Sequence, residues 1–183
     1  MVSGYARLPL PPSIALRRFD EWIGLSALQP PKQVRSRDAV DEACVDGLWR
    51  GVAVFVHEAN GWTVFDDFTG YLGTLPAARW VSLAGSDELI FAAFNDAVPY
   101  GQLIVVRDGL VAREFLHDLQ DPSSNVNRGR LALERATLID DWMDVASFVE
   151  GDALADEAAD EGTLLLYRHD DPSNAQFFAT TSE

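Results

Sequence analysis

The run LWRGVAVFVHEANGWTVFDDF, residues 48–68, constrains the fold more than any other stretch of the chain. Two β-branched and aromatic segments of period two flank Asn60-Gly61, and those two residues tolerate the positive φ that a type I′ turn demands. The pattern predicts an antiparallel hairpin. Asp108-Gly109 offers the same turn between GQLIVVRDG and LVAREFLHDL. DELIFAAFND, residues 87–96, comes just before, and it and residues 101–107 are apolar on both faces, as central strands are. A meander of three adjacent antiparallel strands is therefore expected, with 87–95 and 101–107 central in one sheet.

Helical spacing lies between these strands. PPSIALRRFDEWIGLS places Ala15, Phe19, Trp22 and Ile23 on one stripe, with Ser13 as the expected N-cap and Gly24 as the stop. LPAARWVSLAG reads as a short helix that Thr74 can cap, with Pro76 in its first turn and Gly85 at its end. ATLIDDWMDVASFVEGD puts Ile139, Trp142, Met143, Ala146 and Val149 on a stripe, and Thr137 with Asp140 resembles a capping box. RSRDAVDEACVDG is either a short helix or an irregular connector, and GTLLLYRH is a late strand.

The expected fold is α+β: an antiparallel β-sheet of hairpins and a meander, with helices packed on at least one face. No parallel crossover is required. One domain should span 1–183, with 1–47 as a helical or irregular extension, 48–169 as the sheet-containing core and 170–183 as a loosely packed tail.

Charge narrows the partners. The formal net charge is −15, and residues 1–50 carry seven Lys/Arg against six Asp/Glu, so residues 51–183 hold −16. Such a field repels phosphate, which argues against nucleic acid and anionic membranes and favours a basic protein surface. From Asp140 to Glu161 there are nine acidic residues and no basic one. The start, MVSGYARLPLPPS, lacks the apolar core of a signal peptide and no run of 18 apolar residues exists, so the cytoplasm is the expected compartment.

Reactive chemistry is not advertised. His57, His117 and His169 show no metal-ligand spacing, so neither a bound metal nor a cofactor is expected. No G-x-S-x-G turn is present, and Glu42 and Asp46 beside the lone Cys44 disfavour its thiolate. Asp66 and Asp67 would point to opposite faces of a regular strand and could not share a site.

Several ordered blocks resemble a known family: GWTVFDDFTG, ELIFAAFNDAVPYGQLIVVRDGLVAREFLHD, DPSSNVNRG and IDDWMDVASFV. The resemblance, over residues 48–168, is to the small acidic immunity proteins of bacterial polymorphic toxin systems. It implies a cytoplasmic protein that neutralises a cognate toxin by direct binding, without catalysis or cofactor. Contact residues must then be argued from physics. Asp140, Asp141 and Asp144 are expected to face outward as a steering surface for a basic toxin. Tyr100, at the tip of the 94–102 hairpin beside Asn95 and Asp96, and Trp62 are candidate anchors, with Asp66 near the same end of the sheet. The polar loop QDPSSNVNRGR either only turns the chain, through Asp121-Pro122, Asn125, Asn127 and Gly129, or sends Asn125, Asn127 and Arg128 into a partner's cleft. The alternatives are a carboxylate-based enzyme in which Asp66, Asp96 and Arg113 converge, and a regulatory domain with a small-molecule cavity lined by Trp62 or Trp80. A structural subunit of a secretion apparatus is a third, and it would present large apolar surface.

Overall fold

A computed structural model describes residues 3–95, 97–135, 138–150 and 160–169. Asn60 and Gly61 have φ of 49° and 80°, and Asp108 and Gly109 have 51° and 70°, so both expected turns form with the twist that suits a hairpin. Asp46-Gly47 makes a third such turn, at 51° and 77°. The strands are β1 (Ser3–Leu8), β2 (Lys32–Arg35), β3 (Cys44–Val45), β4 (Leu48–Trp49), β5 (Val52–Ala59), β6 (Trp62–Asp67), β7 (Leu89–Asn95), β8 (Tyr100–Arg107), β9 (Leu110–Asp118), β10 (Val126–Gly129) and β11 (Glu161–Tyr167). Nine of them form one antiparallel sheet in the order β10-β9-β8-β7-β1-β6-β5-β11-β2, while β3 and β4 pair apart. The helices are α1 (Pro12–Ile23), α2 (Ser36–Ala43), α3 (Ala77–Ala84) and α4 (Trp142–Glu150).

The N-terminal part is not an extension. β1 lies in the middle of the sheet, where Tyr5 stands opposite Asp66 on one side and Ala92 on the other, and β2 forms an edge against β11. β1 joins the β5–β6 hairpin to the β7–β8–β9 meander. Because β6 and β7 are each antiparallel to β1, they run parallel to one another, and α3 carries the chain between them. The sheet therefore contains a crossover that pairing of sequence neighbours does not require.

Alternation along the strands divides the core into two faces. On one face α1 and α3 lie over Ala6, Leu8, Val54, Phe65, Phe91 and Ile104. Phe19 of α1 stacks on Phe65 at 4.6 Å, and Trp80 of α3 stacks on Phe91 at 4.5 Å. Each such fully buried side chain contributes about 1.5–3 kcal/mol. The opposite face is covered in two places. Leu131, Ile139 and Val145 close over Ile90, Leu103, Val105 and Phe115, while Ala43 and Trp49 close over Ala53, Leu164 and Leu166.

Several helix ends differ from expectation. α1 begins at Pro12 without a side-chain cap, so Ser13 lies inside its first turn; Gly24 ends it in the left-handed conformation, as expected. α3 has Pro76 at the N-cap, and the Thr74 hydroxyl instead donates to the carbonyl of Tyr71. Residues 36–43 resolve the open reading in favour of a helix. Thr137 and the expected tail, 170–183, lie outside the described residues. Among the described residues no helix is long and apolar enough to cross a membrane.

Candidate functional site

The polar stretch after β9 becomes an edge strand rather than an open loop. Its side-chain oxygens make the turns: Asp118 Oδ1 accepts from Gln120 N at 2.8 Å, Asp121 Oδ1 from Ser123 N at 3.3 Å, and Asn125 Oδ1 from Asp118 N at 2.7 Å. This is the ordinary work of Asp and Asn in turns. The chain then pairs with β9 from Val126 to Gly129, which has φ of 69°. Four short, largely exposed residues blunt the sheet edge. Arg128 is exposed, 3.5 Å from Glu114.

Beneath this strand lies Arg113, a charged side chain only 1% exposed. Its Nη1 donates to Asn127 Oδ1 at 2.7 Å and Arg128 O at 3.1 Å, and its Nη2 donates to Ile139 O at 2.7 Å. The same Nη2 stands 3.1 Å from Glu134 Oε1, whose other oxygen accepts from Leu131 N at 2.6 Å. Asn127 thus bonds a side chain, not local backbone. One guanidinium ties β10, the short 3-10 turn at Ala132–Arg135 and the approach to α4 onto the sheet. Residues 130–135 and 138–144 form an arm held from below. Leu133, Leu138 and Met143 stand out from it, 50%, 44% and 60% exposed. A depression of about 420 Å³ on the arm is lined by Arg130, Leu131, Ala132, Glu134 and Arg135.

The start of α4 corrects the acidic-face expectation. The capping box uses Asp141 and Asp144: Asp141 Oδ1 accepts from Met143 N at 2.8 Å, and Asp144 Oδ2 accepts from the backbone N–H groups of Asp140 and Asp141, both at 2.9 Å. Both side chains therefore build the helix start instead of only facing outward. Asp140 is exposed, and Asn127 Nδ2 approaches it at 3.4 Å. The stripe is also rotated: Val145 is buried and Met143 points away, because the helix starts at Trp142 with Ile139 buried ahead of it. Trp142 N donates to His117 Nδ1 at 3.2 Å. A Cβ on Gly101 would lie 2.7 Å from Trp142 Cα, so only glycine permits so close a seat for α4.

The other candidates lie elsewhere. Asn95 Oδ1 accepts from Ala97 N at 3.0 Å and from Val98 N at 3.3 Å, closing the turn, and Asp96 is outside the described residues. Tyr100 is not an exposed tip. It packs against the main core and donates its hydroxyl proton to Gln102 Oε1 at 2.7 Å; burial, then the charge of Asp118, pushes its pKa up. Trp62 is half-buried with the Arg7 guanidinium 4.9 Å from its ring centroid. Asp66 Oδ2 lies 3.1 Å from Nε2 of the buried His57, whose Nδ1 has no partner among the described residues.

Asp67 points to the opposite face, as alternation requires, and accepts from Thr69 N, Gly70 N and Leu72 N. Burial pushes its pKa up against the pull of those donors. The Cys44 pKa is raised by partial burial and then by Asp41, not by Glu42 or Asp46.

The arm brings together Asn127, Arg128, Asp140, Asp141 and Asp144, with Asn125 just before it. Trp62 and Asp66 stay apart from it, near mid-sheet. Asp66 on β6 and Arg113 on β9 are four strand spacings apart, about 19 Å, so the convergent enzyme site does not form. Trp80 is fully buried between Trp22 and Phe91, filling the core rather than lining a cavity. Among the described residues no three His, Cys, Asp or Glu side chains gather as a metal site would need. Sequence reasoning missed Glu134 and the exposed Leu133 and Leu138; LALER has no periodicity that marks the first two, and Leu138 falls just outside the stripe read from Ile139. No family model, curated protein or solved structure matches the chain.

Proposed function

We propose that this protein binds and neutralises a basic toxin by direct contact, using the arm at residues 130–135 and 138–144. The observation that carries the reading is the exposure of Leu133, Leu138 and Met143 on a segment that Arg113 fastens from beneath through Glu134 and the Ile139 carbonyl. Side chains presented on a fixed backbone lose little entropy on docking, and a few apolar anchors supply most of an interface's affinity. Arg130 and Arg135 are exposed on the same arm, so the local surface is mixed in sign. Steering of a basic partner then comes from the net charge of −15, which raises the on-rate and is screened by salt. The resemblance to toxin-immunity proteins points the same way.

The test is co-expression with the toxin encoded by the neighbouring reading frame. The wild type should protect cells and form a complex on a sizing column. Leu138→Ser with Met143→Ser should weaken the complex about tenfold or more, and Asp140→Lys should slow association without unfolding the chain. Equal cell death with and without the protein, and no complex, would remove the toxin reading. Full affinity in the double variant would remove the arm. A carboxylate-based activity has one observation in its favour, the His57–Asp66 pair. Loss of protection in an Asp66→Asn variant that still binds would establish it instead.

A further inference from the structure

We infer that His117 is a proton-operated latch on this arm, holding α4 to the sheet only while its imidazole is neutral. The helix start has three donors with assigned partners: Met143 N on Asp141 Oδ1, Asp144 N on Asp141 O and Trp142 N on His117 Nδ1. The last is the only one of the three that ties the helix to the sheet, since His117 belongs to β9. An acceptor nitrogen carries no proton, so the ring proton sits on Nε2. Uptake of a solvent proton at Nδ1 turns the acceptor into a donor, leaves Trp142 N unpaired and places a cation at the positive end of the helix dipole.

The surroundings decide whether the charged ring can be accommodated. Around the Trp142 N–H that His117 accepts, the helix start carries the carboxylates of Asp140, Asp141 and Asp144. Along the same face of β9 lie Phe115, two residues back, and Arg113, four residues back. Gly101 opposite on β8 is uncharged, Asn125 before β10 is neutral, and Asp118 points to the other side of the sheet. The three carboxylates attract an imidazolium. However, Asp144 Oδ2 already holds the N–H groups of Asp140 and Asp141, and Asp141 Oδ1 holds that of Met143. A carboxylate drawn to the ring leaves the helix start. Both responses loosen the same turn, and Gly101 offers Trp142 no side chain to rest on.

As regulation of the docking surface this rests on the toxin-binding reading, but the latch is tested on the chain alone. Backbone hydrogen exchange is followed for Trp142–Phe148 at about pH 7.5 and about 5.5, corrected for intrinsic rates, with Leu103–Val105 as reference. The protection of α4 should fall about fivefold or more relative to the reference, the equivalent of one lost hydrogen bond. His117→Asn, whose Oδ1 can accept the same N–H without titrating in this range, should show no such fall, and His57→Gln should keep it. An unchanged wild type, or an equal fall in His117→Asn, overturns the latch. Should His117→Asn fail to fold, the wild type decides together with His57→Gln. Either negative result leaves the toxin-binding reading standing, and loss of that reading leaves the latch standing.

Discussion

Glu134→Leu removes one partner of the buried Arg113 pair. The side chains are 1% and 2% exposed, so neither charge can be screened by water while the arm is closed. After the change, Arg113 keeps its hydrogen bonds to Asn127 Oδ1, Arg128 O and Ile139 O, yet has no counter-charge, and Leu131 N loses its acceptor. An unpaired buried charge costs about 3–5 kcal/mol, and an orphaned buried N–H about 1–3 kcal/mol. The two do not simply add, because peeling the arm away lets water reach both groups. The expected loss is therefore about 3–5 kcal/mol, a large part of a stability of about 5–15 kcal/mol. In urea, with a slope of about 2 kcal/mol per molar, the midpoint should fall by about 2 M. Arg113→Met combined with Glu134→Leu removes both charges and should recover about 1–2 kcal/mol relative to Glu134→Leu alone. A single variant costing under about 1 kcal/mol, or a double variant no more stable than the single, would refute the view that this pair fastens the arm.

Two further outcomes follow from packing and titration. Gly101→Ala drives a Cβ to within 2.7 Å of the Trp142 backbone and should cost about 1–3 kcal/mol, read by thermal melting, with lost exchange protection confined largely to α4. Burial, then the charges of Asp118 and Asp20, hold the pKa values of Tyr100 and Tyr167 above the ordinary tyrosine value. The folded state therefore keeps these protons more tightly than the unfolded chain: the stabilisation is complete below about pH 10 and is lost as pH rises beyond it. Ultraviolet absorbance should show both phenols ionising only with alkaline unfolding, and an early reversible ionisation of either would contradict the packing.

What could be read in the sequence was what is encoded locally. Asn60-Gly61 and Asp108-Gly109 each fix a register within a few residues, and both hairpins form. SGYARL was illegible as a strand because nothing near it pairs with it: Tyr5 finds Asp66 and Ala92, far along the chain, and only Ala6 and Leu8 mark its buried face. The last helix was legible as a helix but not in phase. Asp140, Asp141 and Asp144 allow more than one capping box, and the stripe expected from Ile139 takes in Met143 where the structure exposes it and buries Val145. At the site, Asn95 and Asn125 look alike as turn formers and as ligands, and only the position of the backbone N–H groups decides between them.

The acidic side chains of the arm and of the turn that follows β9 serve two ends at once. Asp118, Asp121, Asp141 and Asp144 each accept a backbone N–H, yet none is buried, so their charge still reaches solvent. A carboxylate accepts such bonds better than a neutral oxygen does, and near a helix N-terminus its charge adds a further few tenths of a kcal/mol, up to about 1. Local folding alone thus favours Asp at these positions, and the negative field is partly a consequence of how the turns are made. Reversing Asp140, Asp141 and Asp144 together would loosen α4 and change the field in one step, and a slower association could then be assigned to neither. Among the described residues, Asp140 is the one of the three whose side chain accepts from no backbone N–H, and Asn127 Nδ2 approaches it at 3.4 Å. A change there alters the charge while the capping box stays whole, so an on-rate measured on Asp140→Lys reports steering and not the loss of the surface that is being steered to.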